Sequence, residues 1–419
     1  MTKRILLYGI NFAPELTGIG KYTGELAAWL AERGHQVRVV TAPPYYPAWK
    51  IAAGFKNGWR TEIINPSNAT ARGGIRHSLV VYRCPLWVPA QPGGLKRLMH
   101  LASFALSSLL VMLRQVLWRP DVVWVVEPAL FCAPTAVAVA RLCGAKVWLH
   151  VQDFEVDAAF DLGLLKRQLV RRWVTVAERG LMRRFDVVST ISQHMHQRLL
   201  NKGVEPAQAL LAPNWVDLAQ FALPSSEGVA AYRRELGITN GAVMALYSGN
   251  MGGKQGLELL ADVAQLCSEV AFVFCGNGAG RADLVARCAG LTNVRFLDLQ
   301  PAERLPNLLA TADIHLLPQR AEAANLVMPS KLTGMLASAR PVVATAHPGT
   351  ELANVVQTCG LVVPPGNAVA FAHAVRTLAG DAALRETLGA TGFLYAQHHL
   401  NREAVLQKFE SDLLAIIQN

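Results

Sequence analysis

Residues 327–351 read VMPSKLTGMLASARPVVATAHPGTE. A short loop, MPSK, opens an amphipathic helix with Leu332, Met335 and Leu336 at helical spacing, and Ala339-Arg340-Pro341 stops it. An apolar strand, PVVAT, follows, and a second loop opens another helix at Thr350-Glu351. Each helix start offers unpaired N–H groups and the positive end of a dipole, where anions settle, phosphates above all. Ser330 is expected to cap the first helix and Thr350 the second, with Lys331 adding a cation beside the first. Two readings stand at this point: a diphosphate site, or an ordinary loop–helix–strand unit. Both predict an α/β sheet with helices crossing over between parallel strands.

The rest of the chain fits that frame. Its 419 residues exceed one ordinary core, which predicts two or three domains. With 52% hydrophobic and 17% charged residues the chain is globular. The net charge of +10 is uneven: residues 1–220 hold 26 Lys+Arg against 14 Asp+Glu, and residues 221–419 hold 14 against 16. A basic first half faces something anionic: a lipid surface, a phosphorylated acceptor or nucleic acid. Aromatics do not interleave with its basic residues as a single-strand binder requires, so nucleic acid ranks last. The seven cysteines form no C-x-x-C pair, which suits buried thiols in a reducing compartment. The amino-terminal KRILLYGINF reads as a buried strand, its apolar run too short for a signal peptide.

In chain order, that first strand leads into APELTGIGKYT, with Gly18 and Gly20 ahead of the helix GELAAWLAERG and the strand HQVRVVTAP. A β–loop–α–β opening marks a doubly wound parallel sheet. Its glycines let a ligand reach the backbone, or serve a tight turn only. Residues 43–95 read as long loops with one strand, SLVVYRCPL. Tyr45, Tyr46 and Trp49 line a sugar or lipid site there, or else pack the loop down. Residues 95–120 carry an uncharged run, Leu101–Leu113, short of the ~20 residues that span a bilayer. With Lys96, Arg97, Arg114 and Arg119 at its ends, it is either a buried crossover helix or one that dips into a membrane interface.

AKVWLHVQDFEVD gathers His150, Gln152, Asp153, Glu155 and Asp157 at the carboxyl end of a strand, where open α/β sheets place ligands. His150 and Asp153 are the candidates for acid–base work or for orienting hydroxyl groups; a salt-bridged loop is the alternative. No second His supplies metal-ligand spacing, so no metal is expected. After a boundary near ALLAPNWVDLAQFALPSSEG the alternation restarts with VMALYSGN and the loop GNMGGKQG, residues 249–256. Gly249 and Lys254 there form a phosphate signal that lacks the Lys-Ser/Thr end of a Walker loop. Gly276-Asn277-Gly278-Ala279-Gly280 follows a strand without completing G-x-G-x-x-G, and Asp298 lies at about the distance a nicotinamide enzyme needs.

GNMGGKQGLE, FCGNGAG, MPSKL and GTEL, with the opening PELTGIGKYTGELAAWLAERGHQVRVVTAPPYYP, resemble a family-4 (group 1) glycosyltransferase of GT-B fold over essentially the whole chain. With HVQDFEVD, that opening is similar to the colanic-acid-type exopolysaccharide glycosyltransferases, often described as fucosyltransferases. The resemblance implies two Rossmann-like, doubly wound parallel-sheet domains facing across a cleft. Residues 1–212 would be acceptor-side and residues 225–395 would bind the nucleotide-sugar. A helix in 396–419 would cross back to the first domain. It implies retaining transfer from a GDP- or UDP-linked sugar to a lipid-linked saccharide, with no cofactor and no metal. That work would be done in the cytoplasm at the anionic inner face of the membrane.

Carried over by position, Lys254 would bind the donor diphosphate, assisted by Gly249, Gly276, Ser330 and Lys331. Gly18 and Gly20 would lie near the phosphates and the acceptor, and His150 and Asp153 near the sugar. Many members carry two glutamates eight residues apart, the second falling just after the P-S-K-type loop. Here Leu326 and Gly334 take those positions, leaving Glu322, Asn325 and Glu351 as the polar candidates. Two other classes share some of these features: an epimerase or hydrolase using the same donor site, and a non-enzymatic membrane adaptor resting on the basic half.

Overall fold

A computed structural model describes residues 2–16, 18–65, 78–90, 93–127, 131–154, 168–221, 226–239, 241–252, 255–321 and 329–418. The chain divides into two compact units: Met1–Pro213 with Leu406–Asn419, and Asn214–Val405.

The first unit is built on an eight-stranded sheet. Its strands are β1 (Arg4–Tyr8), β2 (Gln36–Thr41), β3 (Arg60–Ile64), β4 (Leu79–Arg83), β5 (Val122–Glu127), β6 (Lys146–Val151), β7 (Val187–Thr190) and β8 (Ala209–Leu211), in the order β3-β4-β2-β1-β5-β6-β7-β8. All neighbours pair in parallel except β3, an antiparallel edge on β4. The central strands are apolar runs because helices cover both faces: Ile5, Leu6, Leu7 and Tyr8 have no exposed surface, nor do Val122, Val123, Val125 and Val126. β3 was not expected from the sequence. As an edge it exposes Arg60, Thr61, Ile63 and Ile64, so no apolar run announces it.

The helices of this unit are α1 (Ile19–Glu32), α2 (Gly94–Arg114), α3 (Ala133–Cys143), α4 (Gln168–Met182) and α5 (Gln193–Asn201). Through a 3₁₀ turn to Leu117, α2 is long and apolar enough to cross a membrane by length and composition. One face of it, with Leu101, Phe104, Ser108 and Met112, is buried. Phe104 lies 5.8 Å from the Tyr8 ring, and Ser108 shares a 2.6 Å hydrogen bond with the Tyr8 hydroxyl. The opposite face leaves Leu95, Met99, Leu106, Leu110, Leu113 and Leu117 in solvent. The two readings of this helix are thus its two sides: a crossover helix whose outer stripe stays apolar.

The second unit has six parallel strands: β9 (Met244–Ser248), β10 (Ala271–Cys275), β11 (Val294–Leu297), β12 (Ile314–Leu317), β13 (Val342–Thr345) and β14 (Gly360–Val363). Their order, β11-β10-β9-β12-β13-β14, reverses between β9 and β12, the switch point outside which such sheets hold ligands. Its helices are α6 (Ser226–Glu235), α7 (Glu258–Leu266), α8 (Arg281–Arg287), α9 (Leu305–Thr311), α10 (Lys331–Ala337), α11 (Glu351–Cys359), α12 (Ala368–Gly380) and α13 (Ala382–His399). One core packs α7 and α12 on the sheet through Leu260, Phe272, Phe274 and Phe371. A second packs α10 and α11 through Leu336 and Val356.

The last helix, α14 (Arg402–Gln418), carries the boundary between the units. In the first unit its Phe409 stacks on Trp148, centroids 4.7 Å apart, and meets Trp124 edge-on at 5.8 Å. Glu410 accepts hydrogen bonds from Arg33 at 2.9 Å and from His35 at 3.1 Å. The seven cysteines are free thiols, six of them buried.

Candidate active site

In the second unit, β9 delivers its chain at Gly249 and β10 at Gly276, side by side at the sheet's carboxyl edge. The two glycine loops are laced together. Gly249 donates to the Cys275 carbonyl at 2.9 Å, Met251 to that of Asn277 at 2.9 Å, and Gly280 to that of Met251 at 2.8 Å. At Gly276 a Cβ would fall 1.9 Å from the Gly249 carbonyl oxygen, so only glycine fits that approach. This corrects part of the expectation. The amides of Gly249, Met251 and Gly276 serve the fold and are not open to an anion. These glycines are demanded by close packing and by access.

The access at Gly249 is taken by Lys331. A side chain there would lie 3.5 Å from Lys331 Cε. The Lys331 ammonium bonds the Tyr247 hydroxyl at 2.8 Å and sits 4.3 Å from the centroid of the same ring. Tyr247 in turn donates to the Asn250 carbonyl at 2.5 Å, holding the loop. Among the described residues no carboxylate pairs with Lys331. Burial therefore pushes its ammonium down to about 7. A cation held at a glycine loop without an anion of its own is what a phosphate group completes.

Ser330 does not cap α10. Its φ of −60° and ψ of −24° are already helical, and its carbonyl accepts from the Thr333 hydroxyl at 2.9 Å. Thr350 does cap α11, accepting from Ala353 at 3.3 Å. Glu351 opens that helix close enough to Tyr395 to help burial raise the phenol. Lys254, Glu322 and Asn325 lie outside the described residues. Gly334 lies within α10, where a Cβ would meet Leu309 at 3.1 Å; the position belongs to the packed side of the helix.

In the first unit the carboxyl ends of β1, β5 and β6 lie in sequence along the sheet. His150, near the end of β6, is 5% exposed and stacks on Trp124 at 5.4 Å. Its Nδ1 lies 2.8 Å from the Ser189 hydroxyl, and its Nε2 3.1 Å from the Gln152 amide nitrogen. If that amide donates to Nε2, Nδ1 carries the proton. Burial lowers this imidazole to about 3, so it is neutral and engaged. A direct proton-carrying role does not suit it; it can orient Gln152. Asp153 follows the strand, half-buried. Glu155 and Asp157 lie outside the described residues.

The β1–α1 loop holds a residue the sequence reading passed over. Glu15 is 5% exposed. One of its oxygens accepts the amides of Tyr45 and Tyr46, at 3.1 and 3.0 Å, and the other accepts from Asn11 at 2.9 Å. Burial outweighs these bonds and raises the carboxyl to about 7. Gly20 exists to make this room: a Cβ there would stand 2.5 Å from Glu15 Oε2. Gly18, at φ +63°, has its Cβ direction facing Tyr46 at 3.8 Å. The pair of glycines three and five residues after this Glu was the sequence signal for the arrangement.

Comparison with known proteins adds the rest. A model described as "Glycosyl transferase 4-like domain" matches residues 17–215, and one described as "Glycosyl transferases group 1" matches residues 242–381. The Escherichia coli (strain K12) protein named "Putative colanic acid biosynthesis glycosyl transferase WcaI" is 41% identical over 98% of this chain and 99% of its own length. Among solved structures, sucrose-phosphate synthase of Thermosynechococcus elongatus superposes at TM-score 0.76 and 17% identity, covering 99% of both chains. The Anabaena protein HepE, solved with UDP and glucose, superposes at TM-score 0.69 and 16% identity over 98% of this chain and 100% of its own. Two successive domain models and an end-to-end relative agree with the doubly wound units of the fold: the chain belongs to the group 1 glycosyltransferases of GT-B fold and is a glycosyltransferase.

Proposed function

We propose that this enzyme moves a sugar from a GDP- or UDP-linked donor to a lipid-linked saccharide during assembly of a colanic-acid-like exopolysaccharide. Transfer retains configuration at the anomeric carbon and uses no metal ion. The observation that carries the donor half is Lys331, a cation with no anionic partner among the described residues, fixed by Tyr247 at the Gly249 loop. As the sugar–oxygen bond breaks, the leaving diphosphate gains charge. Lys331 stabilises that charge more than it does the ground state, with Lys254 as a second cation from the same loop. In the first unit Asp153 orients the acceptor hydroxyl or takes its proton, and His150 holds Gln152 beside it. The pathway rests on the WcaI relative, whose name places it in colanic acid biosynthesis. UDP is the diphosphate present in the HepE complex.

The acceptor half of the reading rests on charge and exposure. Residues 1–220 carry the basic excess, and the outer stripe of α2 is apolar. Together they suit an enzyme that works peripherally at an anionic membrane face in the cytoplasm.

A thermal-shift screen with UDP, GDP, ADP and CDP tests the donor site, on wild type, Lys331→Ala and Lys254→Ala. A ligand at a hundred times its dissociation constant stabilises by ~2.7 kcal/mol, a shift of several degrees. One diphosphate should stabilise the wild type and stabilise each variant markedly less. If none stabilises the wild type, or if both variants respond as it does, the donor assignment is wrong.

A further inference from the structure

Glu15 is a buried carboxyl at the ligand-facing edge of the first sheet, outside the mechanism proposed above. Three donors from two loops converge on its two oxygens. Oε1 takes the amides of Tyr45 and Tyr46, 3.1 and 3.0 Å away, and Oε2 takes the Asn11 side chain at 2.9 Å. The consequence reaches the glycine turn that opens α1. A Cβ on Gly18 would lie 3.8 Å from the Tyr46 ring, and one on Gly20 would strike Glu15 itself. That turn has little hold of its own. Gly18 supplies no side-chain cap, and the Tyr22 amide lies 3.5 Å from the Gly18 carbonyl. The carboxyl therefore fixes how the turn lies against the loop after β2.

Joining two loops does not by itself require a charge. A glutamine would offer one oxygen to the same two amides without the cost of burying a carboxylate. What the carboxylate adds is strength, since a hydrogen bond to an ionised acceptor is roughly twice as strong as a neutral one. The neighbouring charges leave Glu15 to titrate near neutrality. Arg83 on β4 favours its charged form, but the donors of Arg83 are committed to the carbonyls of Ala13 and Ala42 and to Glu62 on β3. His100 on α2 meets the Tyr45 ring at 4.8 Å, and burial lowers its imidazole, so it stays neutral. Lys21 in the first turn of α1 pairs with Glu25 at 3.9 Å. Burial tips the balance and brings the Glu15 carboxyl up to about 7.

We propose that Glu15 is a positioning residue of the acceptor side: as a carboxylate it draws the Tyr45–Tyr46 loop onto the glycine turn at Gly18–Gly20, and acceptor binds tightly only where that clasp is closed. This role rests on the reading of the first unit as the acceptor side. The ionised fraction, and with it the clasp, grows as pH rises through neutrality. Burying the charge costs the fold stability as pH approaches the same range. Order at the site and stability of the fold therefore move in opposite directions at this residue, which separates positioning from a merely structural role.

Hydrogen exchange of the full chain tests the clasp with no ligand present. At the Tyr45 and Tyr46 amides, protection corrected for the intrinsic exchange rate should rise between pH 6 and pH 8 in the wild type and stay flat in Glu15→Gln. Transfer, read as nucleoside diphosphate released, tests the role. The probes are the nucleotide-sugar, lipid and aqueous fractions of cells lacking the enzyme, with the donor saturating so that Lys331 does not enter the pH profile. Measured against dilution of the acceptor fraction, the wild-type KM should fall about fivefold from pH 6 to pH 8, the difference between neutral and charged hydrogen bonds. Glu15→Gln should hold the higher acceptor KM at both pH values, with donor KM unchanged and an unfolding midpoint at pH 8 no lower than that of the wild type. A Glu15→Gln variant that keeps the wild-type KM profile overturns the proposal. So does a KM loss that comes with a fall in the midpoint, which marks a structural role only. Flat protection in the wild type strikes the clasp itself. Protection as expected without transfer to either acceptor fraction strikes instead the acceptor-side reading on which the role rests.

Discussion

The Lys331 ammonium and the Tyr247 hydroxyl lie 2.8 Å apart across the mouth of the Gly249 loop. Tyr247 fixes the cation without neutralising it. Replacing Lys331 by Ala should weaken binding of the preferred nucleoside diphosphate by about 10- to 100-fold, in keeping with the ~1.5–3 kcal/mol of a charged hydrogen bond. Tyr247→Phe should cost less, because the ring remains. Isothermal titration of the two variants gives both values, and equal losses would argue against this division of labour.

The same lysine sets a pH dependence. Its folded value of about 7 lies below the ordinary lysine range, and a bound diphosphate favours the charged form. Diphosphate affinity should therefore be full below pH 7 and fall as pH rises beyond it. Lys331→Ala should remove that fall. Binding constants measured from pH 6 to pH 9 would contradict the assignment if the wild-type slope were flat.

Glu15 predicts a stability effect of opposite origin. Its folded value of about 7 lies above that of an ordinary carboxyl, so the folded state holds a proton that the unfolded chain has lost. Stability should fall as pH rises from about 4.5 to about 7, by up to ~3 kcal/mol at 1.36 kcal/mol per unit. Glu15→Gln should flatten that portion of the curve. Urea unfolding at pH 5 and pH 8 decides it; an unchanged difference in the variant would remove Glu15 as the cause.

Phe409→Ala should cost about 3–5 kcal/mol, because its ring fills the space between Trp124 and Trp148. The loss should appear in the first unit, as a lower transition and a shift in tryptophan emission. An intact first transition would show that α14 is not needed there.

Much of the fold is legible in the sequence because buried parallel strands are unbroken apolar runs. ILLY, VVWVV and VVAT are each bounded by loop residues or by a change of polarity. β3 and β14 escaped for separate reasons. Arg60–Ile64 is an exposed edge, and Gly360–Val363 begins on a glycine whose Cβ would fall 1.9 Å from the Val342 carbonyl, a demand only the neighbouring strand reveals. At the site, Lys331 was legible because its loop and helix are contiguous. Glu15 was not, because its partners Tyr45 and Tyr46 come 30 residues later. Ser330 misled for a geometric reason. Capping needs an extended backbone, and residue type alone does not report φ and ψ. His150 has the residue type of a proton carrier, but burial keeps it neutral.

Because Phe409 and Glu410 belong to the first unit, that unit takes in a segment made only after the second unit has been synthesised. At ribosomal rates of ~5–20 residues per second, the roughly two hundred residues after Pro213 take about 10–40 s to emerge. Through that interval the faces of Trp124 and Trp148 that await Phe409 have no cover from α14. The nascent first unit thus lacks this cover on its indoles until residue 409 has emerged, and a chain truncated before that residue never gains it.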